Sequence, residues 1–211
     1  MNESAIGLAL QAALRSMSEV LLFEATNPWE LDEAMTEFGF SSGACEAQDI
    51  EGLDVALAHN SQSGCHQITP ILPRMVAEGR LGRKVSVGWY RYPGGGGLVI
   101  DPLVEDLLRE EARFEGITRR DISNNEIVAH LTLALVNASA DIMANTSLSN
   151  IGQVNDASIK YLGFPAATGG VLSYAAGAGI DAILARLTGL RYGPSKAMKI
   201  SNHLELLRGQ L

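Results

Sequence analysis

The chain has 211 residues, and its 16 Lys and Arg against 24 Asp and Glu leave a formal net charge of −8, which excludes a general nucleic-acid or anionic-membrane surface. With 46% hydrophobic residues but only 6% aromatics, much of the apolar content being Ala and Leu, packed helices are favoured over a sandwich of strands. Cys45 and Cys65 form no CxxC or Cys/His cluster, so neither a disulfide scaffold nor a zinc site is expected. The absence of a long apolar run and of a basic segment in MNESAIGLAL makes the expected setting a reducing cytoplasm, with no membrane or nucleic-acid partner.

Apolar residues at spacings of three and four (Ile6, Leu10, Leu14, Met17, Leu21, Leu22) predict a helix over 6–23. Asn27-Pro28 restarts a helix, with Asn27 as N-cap, Pro28 at the first helical position and Glu30 in the first turn, and Gly39 stops it. A third helix is expected between Gly43 and Gly52, a fourth from Gly52 to Ala58 or beyond, a polar loop at 61–64 and a helix at 70–78. Residues 79–97 change character: Val85, Val87, Trp89 and Tyr90 predict a short extended segment, ended by the four glycines 94–97. Helix resumes over 101–114 with Pro102 in its first turn, and the charged stretch 109–121 reads as its exposed end plus a linker. Ser123 and Glu126 fit a capping box that opens a long apolar helix to about Asn145. Helices at 150–162, 171–176, 180–187 and 194–207 complete an all-α chain of two tandem helical domains, 1–116 and 117–211.

The two halves echo each other. LDEAMTEFGF at 31–40, followed by GLDVALA at 52–58, is matched by VNDASIKYLGF at 154–164, followed by GIDAILA at 179–185. Asp32, Gly39 and Phe40 recur as Asp156, Gly163 and Phe164, while Gly52, Asp54, Leu57 and Ala58 recur as Gly179, Asp181, Leu184 and Ala185. The second set is offset by three residues more than the first, as one loop insertion would give, and the pattern reads as two copies of one helical unit.

Motifs that elsewhere carry chemistry are weak here. GAGIDA at 177–182 has the outline GxGxxA, but a dinucleotide cradle needs a preceding strand in a βαβ unit, so a helix-linking loop is expected. The glycines 94–97 lack the Gly-Lys-Ser/Thr of a phosphate-binding loop. His59, His66, His130 and His203 lie far apart with no HExxH, and Glu24, Asp32 and Glu33 read as exposed helix-end carboxylates rather than an acid/base pair. Lys84, with Arg80 and Arg83, reads as a solvated basic loop. No catalytic residue, metal ligand or cofactor site is assigned within the chain.

NPWELDEAMTEFGF followed by QDIEGLD, then MVAEGRLGRKVSVGWYRYPGGG and DPLVEDLL, resembles the C-terminal domain of 3-hydroxyacyl-CoA dehydrogenases. EIVAHLTLALVNASADIM with YLGFPAATGG and GIDAILARL is similar to the second copy of that domain in the multifunctional fatty-acid β-oxidation enzymes. The resemblance covers essentially the whole chain. It implies two helical domains like those of the 6-phosphogluconate dehydrogenase C-terminal-domain-like fold, and a role in NAD-dependent oxidation of 3-hydroxyacyl-CoA. In the family a Rossmann domain binds NAD and carries the catalytic His and Glu, while the helical part closes the acyl-CoA cleft and supplies the dimer or pseudo-dimer interface. No Rossmann half is read before Ile6, so an NAD-binding domain of the same parent chain or of a partner is implied, along with possible homo-oligomers.

The family's GFIxNR opening, whose Asn faces the reacting carbonyl, corresponds to residues 4–9 here, and Leu8 stands at the Asn position. The cleft turn FGFPMGPFE corresponds to 38–46, where both prolines and the large Met and Phe are replaced by small residues, and RGGPM corresponds to 168–172 without its arginine. Carried over by this resemblance, the substrate-binding residues are Leu8, Phe40, Ser41, Ser42, Gly43 and Ala47, with Lys84 a distant candidate for CoA phosphate. An open apolar docking face is expected near 4–14 and 38–45. The alternative expectation is a non-catalytic acyl-CoA-binding or assembly module that keeps the fold and has lost the chemistry.

Overall fold

The computed structural model describes residues 3–62, 69–145, 150–190 and 200–208. The loop expected at 61–64, Cys65, His66 and the helix expected over 194–207 fall wholly or partly outside them, and so does the side chain of Leu184. The described residues bear out an all-α protein, with one two-stranded sheet and, beside it, isolated antiparallel bridges from Val87 to Gly82 and Arg91.

In chain order the helices are α1 (Glu3–Glu24), α2 (Pro28–Phe38), α3 (Ala44–Glu51), α4 (Leu53–Gln62), α5 (Ile71–Ala77), α6 (Pro102–Phe114), α7 (Asn124–Asn145), α8 (Ile151–Leu162), α9 (Val171–Ala178), α10 (Ile180–Leu190) and α11 (Leu204–Arg208). Their starts are fixed by local chemistry. Asn27 Oδ1 accepts from the Glu30 amide at 3.0 Å, and Asp101 accepts from the Leu103 amide at 3.3 Å at the head of α6. The capping box of α7 is present: Ser123 Oγ accepts from the Glu126 amide at 3.4 Å and Glu126 accepts from the Ser123 amide at 3.0 Å. A second box, Asn150 with Gln153, opens α8. Helices α1 and α7 are long and apolar enough to cross a membrane, but 67% of each apolar window is buried within the protein, as befits core helices.

Between α5 and α6 the extended reading is corrected in detail. Val85 lies in a 3₁₀ turn (Arg83–Val85), and only β1 (Tyr90–Arg91) is strand, paired antiparallel with β2 (Val99–Ile100) in the register Tyr90 to Ile100 and Arg91 to Val99. The four glycines lie in the connection that brings β2 back onto β1.

Contacts group the chain into two compact units that do not follow the division of the sequence repeat at 116/117. Unit 1 comprises Met1–Met17, Phe38–Ser41 and Val128–Leu211; unit 2 comprises Ser18–Glu37 and Ser42–Ile127. In unit 1 the two Gly-Phe turns of the repeat meet: the Ser41 amide donates to Gly163 O at 2.9 Å, and the Phe40 and Phe164 rings pack edge to face at 5.2 Å, flanked by Phe38 and Tyr174. In unit 2 the stretch expected to be a linker is tied down. The Arg119 guanidinium donates to the carbonyls of Leu22, Phe23 and Thr26, satisfying orphan acceptors at the end of α1, and the Arg120 amide donates to Glu24 O.

Candidate functional site

The turn between α2 and α3, which the family resemblance places at the substrate wall, belongs to unit 1 as far as Ser41 and to unit 2 from Ser42 on, and the contacts that anchor the head of α3 lie within unit 2. Asp32, on the buried face of α2, accepts from the Cys45 amide on Oδ1 and from the Glu46 amide on Oδ2, each at 2.9 Å, so its carboxylate caps the otherwise unpaired N–H groups opening α3. The Tyr90 hydroxyl donates to the same carboxylate at 2.9 Å. A Cβ on Gly43 would fall inside the Asp32 carboxyl group, so only glycine lets the two helices close in this way. Burial pushes the Asp32 carboxyl up to about 6; the bonds from Cys45, Glu46 and Tyr90 act the other way, and the charge of Glu46 adds to the rise.

A second buried acid sits at the other side of α3. Asp49 accepts from the Trp89 and Tyr90 amides at 2.9 Å each and from the Tyr92 hydroxyl at 3.0 Å, pinning the start of the hairpin to the helix. Burial raises it to about 6 as well, opposed by those bonds and by the Arg80 charge. Both carboxylates are buried and their acceptor sites are spoken for, so they hold the scaffold together rather than exchanging protons with a ligand. This corrects the reading of Asp32 and Glu24 as exposed helix-end carboxylates, since both are buried. The Cys45 thiol is pushed well up, first by burial and then by Asp32 and Asp49, which disfavours a reactive thiolate.

Unit 1 repeats the device with different chemistry. Asn155 Oδ1 on α8 accepts from the Leu172 and Ser173 amides at 2.8 and 3.3 Å at the head of α9, Ser158 Oγ accepts from the Val171 amide at 3.1 Å, and a Cβ on Gly170 would lie 2.6 Å from the Asn155 Cβ. The sequence echo pairs Asp32 with Asp156, but Asp156 is exposed and its neighbour Asn155 performs the anchoring. The GxD element does repeat in role: Asp54 pairs with Lys84, and Asp181 pairs with Arg208 at 2.6 Å.

The residues assigned by resemblance divide between the units. In unit 1, Leu8 on α1 is 52% exposed, Phe40 is buried in the aromatic cluster and Ser41 is exposed. In unit 2, Ser42 is half-buried, Gly43 is buried and Ala47 is exposed, all at the first turns of α3. Lys84 stands at the opposite end of that helix, over Gly52 and ion-paired with Asp54, about 14 Å along the axis from Gly43. Along the apolar face expected to be open near 4–14 and 38–45, Leu8 is exposed and Ala5, Ala9, Ala12, Ala13 and Phe38 are half-buried, while Ile6, Leu10, Leu14, Phe40, Ala44 and Cys45 are buried. The Asp49 hub went unread in the sequence, although QDIEGLD and GWYRY both carry its residues. Among the described residues no cluster of His, Cys, Asp and Glu is arranged to hold a metal ion. GAGIDA joins α9 directly to α10, with Gly179 at φ 86° between two helices and no strand before it, so it does not fit a dinucleotide.

Residues 9–92 match the family model of the 3-hydroxyacyl-CoA dehydrogenase C-terminal domain. The chain is 32% identical over 188 residues to a peroxisomal bifunctional enzyme of Danio rerio and 27% identical over 185 residues to the peroxisomal bifunctional enzyme of Homo sapiens, covering 79% of this chain and 26% of each relative. It therefore spans about a quarter of the length of the curated relatives it matches. Its fold is that of the dehydrogenase part of multifunctional enzyme 1 from C. elegans (TM-score 0.73, 23% identity, 98% of this chain and 48% of that one). It also matches 3-hydroxybutyryl-CoA dehydrogenase from Escherichia coli (TM-score 0.65, 16% identity, 97% of this chain and 58% of that one). Residues 9–92, the stretch that contains Asp32, Gly43, Asp49 and Tyr90, therefore belong to the C-terminal domain family of 3-hydroxyacyl-CoA dehydrogenases.

Proposed function

We propose that the chain forms the substrate-cleft and pseudo-dimer portion of a 3-hydroxyacyl-CoA dehydrogenase, acting with an NAD-binding domain of the same parent chain or of a partner subunit, in the cytoplasm. The observation that carries this reading is the family match over 9–92, which spans the whole anchored turn between α2 and α3. NAD supplies the hydride acceptor in such an oxidation, and no described residue here fits it. The acyl-CoA contacts in this reading are Leu8, Phe40, Ser41, Ser42, Gly43 and Ala47, carried over from the family. Lys84 already has Asp54 as counter-ion and would take a CoA phosphate only by exchanging it. One residue favours a second reading, a non-catalytic acyl-CoA-binding or assembly module: Leu8 is exposed where the family has an amide, and a leucine donates no hydrogen bond to a developing oxyanion. Calorimetric titration with acetoacetyl-CoA, with NADH alone as control, tests both. Saturable binding of the acyl-CoA without NADH binding supports a surviving substrate wall. Loss of acyl-CoA binding even with a family NAD-binding domain added refutes the wall, and binding of NADH by the chain alone refutes the exclusion of GAGIDA as a dinucleotide site.

A further inference from the structure

We propose that the groove at the C-terminal end of α6 binds a small phosphate-bearing anion, gripped by Arg109, Arg113 and Arg119. The groove, of about 410 Å³, lies within unit 2 and is lined by these three arginines together with Ala112, Ile117 and Thr118 among others, with no carboxylate in its wall. Arg109 and Arg113 are one helical turn apart and so share a face of α6. The helix then closes at Gly116, φ 70°, and the Ile117 amide donates back to Ala112 O at 2.8 Å, which returns the chain along the same face. Arg119 is locked there by its three carbonyl acceptors on the end of α1.

The charge is not self-compensated. Arg109 has Glu105 at 2.5 Å; Arg119 donates its hydrogen bonds to neutral carbonyls, with the charges of Glu105 and Glu30 acting on it but not bonded to it; and the Arg113 guanidinium, exposed, has no hydrogen-bond or ion-pair partner among the described residues. The helix end supplies about half a negative charge, which explains one nearby cation but not three. Burial first, and then the like charge of Arg109, push the Arg119 guanidinium downward, with Glu105 and Glu30 acting the other way. A neighbouring groove of about 380 Å³ makes the contrast: its Arg74 is matched by Glu78 and Glu110 in the same wall, with Asp106 beside them, and it needs no outside anion. Planar guanidinium forks around one concavity suit the several acceptor oxygens of a phosphate or diphosphate.

The proposal stands apart from the acyl-CoA reading. Its test is calorimetric titration of the whole chain with inorganic pyrophosphate at low ionic strength, and separately with CoA. Arg113→Glu is the test variant, since that side chain touches nothing the fold needs, and Arg91→Glu, an exposed residue on β1, carries the same change of charge elsewhere. The expected result is saturable one-site binding of pyrophosphate that Arg113→Glu weakens at least about tenfold and Arg91→Glu leaves nearly intact. If CoA shows the same dependence on Arg113, its phosphates are a source of the ligand; if pyrophosphate alone does, the ligand is a free phosphate compound. Absence of saturable pyrophosphate binding, or equal effects of the two variants, overturns the site. Unchanged acetoacetyl-CoA binding by Arg113→Glu would leave the acyl-CoA reading standing, so the two failures are distinguishable.

Discussion

Replacing Asp32 by Asn should leave the protein almost as stable as before at acid pH and make it more stable at alkaline pH. The Asp32 carboxyl sits at about 6 in the folded protein against 3.8 for the free group, because burial outweighs the three donors aimed at it. A folded value raised above the unfolded one means that the folded state holds the proton more tightly. The stabilisation is therefore complete below about pH 4 and is lost as pH rises through about 6. At 1.36 kcal/mol per unit the whole loss is about 3 kcal/mol, and roughly half of it falls between pH 5 and 8. An asparagine does not titrate. Its oxygen can keep the Cys45 amide, while its NH₂ meets Tyr90, whose hydroxyl can turn to its other acceptor, Pro28 O, at 3.0 Å. The Glu46 amide, part-buried, then loses its acceptor, a cost of about 1 kcal/mol. Asp32→Asn is thus expected to lie within about 1 kcal/mol of the parent at pH 5 and to be about 2 kcal/mol more stable at pH 8. Urea unfolding at both pH values, followed by the fluorescence of Trp29 and Trp89, reads the difference in unit 2. A variant that is less stable at pH 8, with a deficit that grows as pH rises, would show that the hydrogen bonds to the carboxylate outrun its burial, and would refute the reasoning.

Three further perturbations follow from the same contacts. Gly43→Ala places a methyl inside the Asp32 carboxyl group and should lower stability by about 2–4 kcal/mol, seen as a fall in the urea midpoint with little change in slope. Arg119→Ala strips the donors from three carbonyls ending α1 and should cost about 2–4 kcal/mol in the same assay, with Arg119→Lys recovering only part. Ser123→Ala removes one half of the capping box of α7 and should cost about 1 kcal/mol, read as a modest drop in thermal midpoint by circular dichroism at 222 nm.

What could be read before folding was local. Asn27, Asp101 and the Ser123–Glu126 pair cap the helices they precede, because a cap needs only residues within one turn. The contacts that shape the site span long stretches of chain: Asp49 reaches Trp89, Tyr90 and Tyr92 some 40 positions on, and Arg119 caps a helix that ends nearly 100 positions earlier. Charge patterning could only label 109–121 as polar, which is equally true of a linker and of a strap bonded to α1. The repeat misled in one respect for a geometric reason. Matching letters aligned Asp32 with Asp156, yet one residue is about 100° around a helix, and burial selects Asn155 for the inner face while Asp156 points to water.

Why one copy uses an acid and the other an amide follows from the group that each anchor meets beyond the helix end. In unit 2 every neighbour of Asp32 is a donor: two backbone N–H groups and the Tyr90 hydroxyl. A carboxylate, which only accepts, satisfies them all. In unit 1 the two backbone donors are matched by the Asn155 oxygen, and the remaining neighbour is the Ser173 hydroxyl oxygen, which accepts from Asn155 Nδ2 at 2.8 Å. An amide fits there because it offers both polarities, and a carboxylate would have to turn the serine hydroxyl around. The scaffold therefore requires an acceptor at this point of each copy, not a charge. In unit 2 a carboxylate serves the three donors at once, and its raised pKa makes this anchor's contribution to stability fall as pH rises through about 6.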